Sequence, residues 1–555
     1  MFKKLKYILI IGITAIVVFA YKGIDESSFE VSKNLDIYYT LFKELNMFYV
    51  DETKPGDLIK NSIDKMLETL DPYTVYIPES KMEDYRLMTT GQYGGIGALI
   101  RKAGDYIVIT EPYETFPAYK AGIKAGDVIL EIDGNSTKNK NSSDISDALK
   151  GQPNSEVKLV LKRPGTEKNI EKTLKREEIK ISSVPYHGVI ADGIGYLRLS
   201  SFTEQAGAEV KAAFTDLKEN NKITSLVLDL RGNPGGLLIE AVNIVNVFVK
   251  KGEEVVSTKG KISDWNKKYT TMFQSTDTEI PIVCLVNSGS ASASEIVSGA
   301  LQDLDRAVIL GQRTFGKGLV QTTRQLSYNS KLKVTTAKYY IPSGRCIQAL
   351  DYTHRNEDGS VGKVPDSLIT EFATKNGRKV YDGGGIVPDI ATEPIYLSKI
   401  AISLIEKNLI FDYVTEFVLK HDSIDNPEKF SISDVDFDEF KKYLSDKEFD
   451  YETESEKELT RLIDIAKKEK YYEKAETDFA ELKLKLSHDK NYDIQKFKDE
   501  ITELLNEEIV SRYYYQKGRA KSSIKFDDDV KKAIELLQDK SKYDSILVAG
   551  VDIKK

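Results

Sequence analysis

The sequence predicts an α/β protein with a smaller, strand-rich module ahead of its main domain and helical regions at both ends. Between 180 and 395, apolar strands such as 223–230 and 282–286 are each followed by a glycine-rich turn and a helix. That order is typical of α/β layer folds. The chain has 555 residues, and at roughly 150 residues per domain it contains three or four units. Its 41% hydrophobic and 30% charged residues are those of a globular protein, which excludes wholesale disorder.

An uncharged apolar run at 7–20 follows three lysines within the first six residues. A basic start and an apolar run of this length are typical of a secretory signal, and a membrane-spanning helix needs about 20 residues. The segment Val18-Phe19-Ala20 matches a small-residue cleavage site only loosely, so residues 1–22 are a cleaved signal or an uncleaved anchor. Both alternatives predict an extracytoplasmic protein, periplasmic or at the cell surface. In the second, the run at 7–20 anchors the protein to the cytoplasmic membrane.

Residues 25–84 are predicted to be helical, because apolar residues recur there at intervals of three and four. The region 85–165 instead alternates short strands with glycine turns. Its turn Gly94-Gly95-Ile96-Gly97 leads into a strand that begins at Ala98. Successive glycine N–H groups can form a nest for a carboxylate, and a following strand can pair with an extended peptide. Taken alone, the turn is also consistent with an ordinary bend or bulge.

The C-terminal region, 400–555, is highly charged, rich in tyrosine and helical in pattern, without a glycine before Gly518. We interpret it as a solvated helical domain. A dimer contact, a partner surface and a substrate cradle remain open as its role.

Charge and composition exclude several classes of function. The net charge of −8 comes from 79 basic and 87 acidic residues, so the chain has no basic surplus for binding nucleic acid. The four histidines are scattered and no metal-binding spacing occurs, so neither a metal site nor a cofactor is predicted. Cys284 lies in an apolar strand and is expected to be a buried thiol.

Ser292 stands where the helix after strand 282–286 begins. Unpaired N–H groups at a helix start favour negative charge, so a nucleophile here has an oxyanion donor beside it, the N–H of Ala293. The alternative is that Ser292 or Ser294 only caps the helix, the commonest role of serine at this place. The apolar stripe along the helix predicts that one side is buried and that Glu295 points to a different face.

A nucleophilic serine needs a base, and no histidine lies in a comparable glycine-rich segment. Lys317 does, between Gly316 and Gly318. Burial beside Phe315 would lower its pKa toward the working pH, which a lysine base requires. Gln321, four residues later, lies on the same side of either a helix or a strand and can orient the amine. The alternative for Lys317 is an exposed loop lysine.

Five long motifs closely resemble, in the right order, those of the carboxyl-terminal processing peptidases, also called tail-specific proteases. The motifs are 228–236, 287–296, 314–321, 339–345 and 385–389. The resemblance covers residues 35–395. It implies that Ser292 is the nucleophile, that Lys317 is the base and that Gln321 completes a triad.

The resemblance also implies the rest of the architecture. A second oxyanion donor beside that of Ala293 would come from the glycine turn after strand 223–230, at Gly235 or Gly236; on its own this glycine pair would be an ordinary tight turn. Residues 180–395 would form a crotonase-like (ClpP/crotonase-type) α/β catalytic core. Residues 85–165 would be an inserted PDZ domain. Its carboxylate-binding loop would be Gly94, Gly95, Ile96 and Gly97.

The activity implied is peptide hydrolysis through an acyl-enzyme, without a cofactor, on unfolded or tail-exposed proteins with free C-termini. A homo-oligomer and an adaptor or regulator protein remain open as partners, and nucleic acid is not expected. One alternative is a PDZ adaptor with an inactive core, against which the intact Ser292, Lys317 and Gln321 count. The other is a histidine-dependent serine protease, which replacement of all four histidines would inactivate.

Overall fold

The computed structural model describes residues 28–356 and 358–548. The predicted signal or anchor at 1–22 lies outside these residues. No helix in the described part of the chain is both long and apolar enough to cross a membrane. The first elements are mainly helical, as the spacing of apolar residues predicts. They are α1 (28–48), α2 (Pro55–Glu68), strand β1 (Val75–Ile77) and α3 (Met82–Thr90).

A six-stranded antiparallel sheet with two short helices forms the smaller module. Strands β2 (Gln92–Gly95) and β9 (Glu177–Lys180) pair antiparallel with each other at its two ends, so the chain enters and leaves the module side by side. A separate core of buried aliphatic residues fills the module. The elements between the two end strands are β3 (Ala98–Ala103), β4 (Tyr106–Pro112), α4 (Pro117–Lys120), β5 (Val128–Ile132), β6 (Asn135–Ser136), α5 (Ser142–Leu149), β7 (Glu156–Lys162) and β8 (Ile170–Lys175).

A second six-stranded sheet is the centre of the main domain, and it is parallel except at its first pair. In order across the sheet its strands are β10 (Tyr186–Ala191), β11 (Ile194–Arg198), β12 (Ser225–Asp229), β15 (Ile282–Val286), β16 (Val308–Gly311) and β23 (Ile390–Ala391). The strands predicted at 223–230 and 282–286 are confirmed as β12 and β15, and the structure shows that they are neighbours. Cys284 is buried as expected. Parallel neighbours end at the same edge, which brings the turns after β12 and β15 together.

Three helices cover one face of this sheet: α6 (Ala206–Glu219), α7 (Leu238–Phe248) and α8 (Ala293–Asp303). The prediction that α8 is buried on one side only is wrong, because all 11 of its residues are buried. At Gly299 an added Cβ would lie 2.8 Å from both Ile341 and Ile386. The chain after residue 340 therefore covers the side of α8 that faces away from the sheet.

A smaller, mainly antiparallel layer flanks the core. Its strands are β1 with β13 (Glu254–Gly260), β14 (Lys267–Thr270), β17 (Leu319–Gln325) and β18 (Lys331–Tyr340). Two hairpins follow: β19 (Leu350–Arg355) with β20 (Val361–Lys363), and β21 (Glu371–Ala373) with β22 (Lys379–Tyr381).

The C-terminal region is helical, as predicted, but it is not simply solvated. Its last two helices pack on the free face of the parallel sheet, where Val530 and Ala533 meet Val283 and Leu310. Amphipathic helices cover this apolar face because the sheet is buried on both sides. The helices are α9 (Lys399–Glu406), α10 (Leu409–Lys420), α11 (Asp434–Ser445), α12 (Glu454–Lys468), α13 (Tyr472–Leu486), α14 (Lys490–Lys496), α15 (Lys498–Phe526), α16 (Asp528–Gln538) and α17 (Lys540–Ile546).

The same region also holds the smaller module. The guanidinium of Arg101 lies 4.0 Å from the ring centroid of Phe411 on α10, and Arg512 of α15 lies 4.1 Å from it. Helix α15 breaks at Tyr515, with φ 51° and ψ −153°, and this ring contacts Tyr119 edge-on at 5.4 Å. A left-handed tyrosine is strained, and such strain persists only where surrounding contacts enforce it.

Candidate active site

Ser292 is the residue immediately before α8, and its backbone is unusual. Its φ of 56° and ψ of −111° are rarely adopted by a residue with a side chain. The turn after β12 presses against it: a Cβ added to Gly235 would lie 2.9 Å from the Cβ of Ser292 and 2.7 Å from the carbonyl oxygen of Ala291. Only glycine allows this approach, which is the physical reason for a glycine at this point in the turn.

The neighbouring N–H groups differ in what they bind. The N–H of Gly235 donates to Oδ1 of Asn233 at 2.9 Å and is therefore occupied. Within residues 28–356 and 358–548, the N–H groups of Gly236 and Ala293 have no acceptor. Of the two glycines predicted as oxyanion donors, only Gly236 therefore has a free backbone N–H among the described residues. Ser294 does not cap the helix, because its hydroxyl donates to the carbonyl of Asn233 at 2.9 Å.

Glu295 connects the serine and lysine segments. Contrary to the prediction that it points elsewhere, it is fully buried. Its Oε2 accepts the N–H of Ser292 at 2.8 Å and that of Lys317 at 2.9 Å. Its Oε1 accepts the N–H of Gly316 and the hydroxyl of Thr314. Burial raises the pKa of Glu295, and these four hydrogen bonds oppose that shift. Spacing alone misses this role, because a carboxylate beside an apolar stripe gives no sign of its distant partners.

Lys317 lies in the loop before β17, with its Nζ 4.4 Å from the ring centroid of Tyr73. The pKa of Lys317 is lowered to about 8, chiefly by burial and also by the nearby charge of Lys333, while Glu295 and Asp71 oppose the shift. Tyr73 covers the amine. The prediction that Phe315 shields it is wrong, because the Phe315 side chain is 48% exposed. Tyr73 is more than 200 residues away in sequence, so no local pattern could reveal it.

Gln321 lies on β17, and its amide donates to Oγ1 of Thr335 at 3.2 Å. The N–H of Thr335 donates to Thr74 Oγ1, which donates to Asp71 at 3.0 Å. In the part of the chain that the structure describes, no hydrogen bond joins Gln321 to Lys317. Its orienting role therefore stays a prediction.

The four histidines all lie in the described residues, and none hydrogen-bonds Ser292 or Lys317. They pair elsewhere, for example His187 with Asp216 at 3.3 Å and His488 with Glu456 at 2.9 Å. Among the same residues no cluster of three or more histidine, cysteine or acidic side chains is placed to hold a metal ion.

A groove of about 430 Å³ runs between β3 and α5 of the smaller module. Of the predicted carboxylate-binding residues, Ile96 lines it. Gly94 and Gly95 pair within β2 with Glu178 and Glu177, and a Cβ on Gly95 would press on the ring of Tyr93, which lines the groove. Other lining residues are Leu87, Ala98, Ile100, Leu149 and Lys150.

Comparison with known proteins finds family matches for three segments of the chain. Residues 193–353 match peptidase family S41, residues 108–163 match a PDZ domain, and residues 400–537 match the family described as "Probable PDZ-protease, C-terminal helical domain". The last match extends the likeness beyond residue 395, where the sequence motifs end.

Two relatives illustrate the similarity. The chain is 39% identical over 324 residues to the carboxy-terminal-processing protease of Bartonella bacilliformis, covering 58% of this chain and 74% of the relative. It is 34% identical over 421 residues to a "Probable CtpA-like serine protease" of Staphylococcus aureus, covering 74% and 81%. A solved photosystem II D1 C-terminal processing protease is 30% identical, with a TM-score of 0.35 over 64% of this chain and 87% of the other. The two relatives and the matching family models show that the chain belongs to peptidase family S41, as a PDZ-containing carboxy-terminal-processing serine protease.

Proposed function

We propose that this protease is exported, captures the C-terminal ends of unfolded or tail-exposed proteins on its PDZ domain, and cuts them with a Ser292–Lys317 dyad assisted by Gln321. The observation that carries the dyad is Glu295, whose single carboxylate binds the backbone N–H of both Ser292 and Lys317. A nucleophile and its base need to be held near each other, and this shared carboxylate joins the two backbone segments that carry them.

In the proposed reaction, neutral Lys317 takes the proton of the Ser292 hydroxyl as Oγ attacks the scissile carbonyl carbon. The negative charge that develops on the carbonyl oxygen is received by the free N–H groups of Ala293 and Gly236. The C–N bond then breaks, and the Lys317 ammonium gives its proton to the leaving amine. In the second half, neutral Lys317 takes a proton from water as the water oxygen attacks the acyl carbon. The bond between that carbon and Ser292 Oγ then breaks, and the Lys317 ammonium returns the proton to Oγ.

The core is proposed to be crotonase-like. Its parallel strands β11, β12, β15 and β16, with helices between them, agree with that architecture. The nucleophile and the oxyanion turn follow two neighbouring strands, where ligands bind in open α/β sheets.

Peptide capture is proposed for the groove between β3 and α5. Apolar lining residues suit an apolar C-terminal side chain, and an exposed edge strand suits pairing with an extended tail. Export rests on the lysines and apolar run at the start of the sequence. In the proposal the groove selects the substrate, while the dyad breaks the bond.

The test is proteolysis of an unfolded model protein, with the released peptides identified by mass spectrometry. Ser292→Ala should abolish cleavage without unfolding the protein, because it deletes one hydroxyl. Lys317→Arg should be equally inactive, since a guanidinium does not release its proton in this pH range. Ser288→Ala is the matched control: it removes an exposed hydroxyl from the same loop and should keep parent activity. Cleavage by Ser292→Ala at the parent rate would refute the dyad and favour a different active site.

A further inference from the structure

The C-terminal helical domain reaches the oxyanion turn through one arginine. Arg231 directly precedes the turn 232–236, and its guanidinium donates to both carboxylate oxygens of Asp527, at 2.9 and 2.7 Å. It also donates to Asp529 at 3.3 Å and to Asp229 at 3.0 and 2.6 Å. Two of these three carboxylates come from the junction of α15 and α16, 296 and 298 residues further along the chain.

This cluster carries more negative charge than a single guanidinium neutralises, and it is largely withdrawn from water. The Arg231 side chain is 18% exposed and that of Asp229 is 2% exposed. Burial alone would raise the pKa of Asp229, but the guanidinium outweighs it and the pKa is lowered. Buried ion pairs add little net stability, because desolvation offsets the attraction, and their better-attested use is to fix one arrangement of the chain.

The arrangement that is fixed here is the position of the turn. On the serine side, the carbonyl of Asn233 accepts the N–H of Ala291 at 3.0 Å as well as the Ser294 hydroxyl. On the opposite side, Arg231 anchors the start of the turn to the C-terminal domain. The free N–H of Gly236 lies at the end of the turn, where Phe202 donates its N–H to the carbonyl of Gly235 at 3.3 Å and accepts the N–H of Leu237 at 2.8 Å. Arg231 holds the other end of the same turn.

A cleft of about 1250 Å³ separates the PDZ domain from the catalytic core at this point. The cluster forms part of the wall of this cleft, which is lined by Asp229, Arg231, Gly232 and Asp527. On the core side, Asn287 Oδ1 accepts the N–H of Gly232 at 2.9 Å, and Asp229 binds Arg231. On the cleft side, the helix junction supplies Asp527 and Asp529 as further partners of Arg231.

We propose that Asp527 and Asp529 are positioning residues for the peptidase reaction, which act through Arg231 to hold the turn 232–236 and its Gly236 N–H in place. This proposal rests on the Ser–Lys mechanism above and adds the C-terminal helical domain to the catalytic apparatus. The two aspartates do not touch substrate. They act on the transition state only through the placement of one donor.

The test is steady-state kinetics on a short reporter peptide with the full-length protein and the variant Asp527→Asn/Asp529→Asn. Asparagine keeps the Oδ1 that caps α16 by accepting the N–H of Val530. Removal of one oxyanion donor costs about 10²–10³ in kcat, so its displacement should lower kcat by about tenfold or more with KM unchanged. The control Asp528→Asn removes one negative charge from the same junction, but this side chain pairs with Lys531 and should leave kcat at the parent value.

A double-mutant cycle with Arg231→Gln separates positioning from mere capping of α16. If the aspartates act through Arg231, replacing them in the Arg231→Gln background should cause no further loss of kcat. Additive losses, or a lowered melting temperature with unchanged kcat, would overturn the proposal. The Ser292→Ala variant separates failure of the Ser–Lys mechanism from failure of the positioning role. If this variant stays active, the proposed mechanism fails. If it is inactive while Asp527→Asn/Asp529→Asn matches the parent, only the positioning role fails.

Discussion

The pH dependence of cleavage tests the chemistry of Lys317 directly. With the pKa of Lys317 lowered to about 8, the amine is neutral in about a tenth of molecules at pH 7 and about nine tenths at pH 9. Because only the neutral amine can act as a base, kcat/KM should rise about tenfold over this interval and then level off. An ordinary lysine, with a pKa of about 10.4, would instead give about a hundredfold rise without a plateau below pH 10.

The assay is kcat/KM on a short peptide from pH 5 to 10, for the parent and for a variant in which all four histidines are replaced by glutamine. A rise centred near pH 8 in both proteins is the expected result. A rise centred near 6.5 that disappears with the histidines would refute Lys317 as the base. A rise that continues without a plateau to pH 10 would refute the argument that burial beneath Tyr73 tunes the amine.

Two further changes test the groove and the shared carboxylate. Gly95→Val should press on Tyr93 and weaken cleavage of proteins with a free apolar tail, with little change on a short reporter peptide; an equal loss on both would show that the loop serves folding instead. Glu295→Gln offers one acceptor oxygen where the carboxylate has two, leaving about two buried donors unpaired at about 1–3 kcal/mol each. Urea unfolding should therefore show a loss of about 2–6 kcal/mol, and kcat should fall; unchanged stability would contradict the role assigned to Glu295.

The sequence predicts those parts of the site that depend on local order. A strand, a small-residue turn and a helix place Ser292 at a helix start, and another strand leads into the glycine turn. Each of these segments is encoded within about a dozen neighbouring residues, where the alternation of apolar strand and glycine turn is readable. That the two turns lie side by side depends on the parallel pairing of β12 with β15, which are more than 50 residues apart.

Features built from distant segments were not predictable. Tyr73 covers Lys317 from the N-terminal region, and Asp527 reaches Arg231 from the far end of the chain. The C-terminal helices hide their apolar contacts among many charged residues, so Val530 and Ala533 do not stand out as core positions. In each case the deciding contact is tertiary, and a pattern along the chain carries no information about which distant partner will meet it.

Because β2 and β9 pair at the two ends of the PDZ domain, the whole domain could be exchanged between these strands. Gly95 and Glu177 face each other across the ribbon, so a short turn could close the gap if everything between them were removed. A PDZ domain with another tail preference could be inserted there without rerouting the catalytic core. Such a graft would still need a cation in the place of Arg101, because Phe411 would otherwise lose one of the two guanidinium groups that cover it. The PDZ domain can therefore be replaced as a unit only if its contacts with the helical domain are kept.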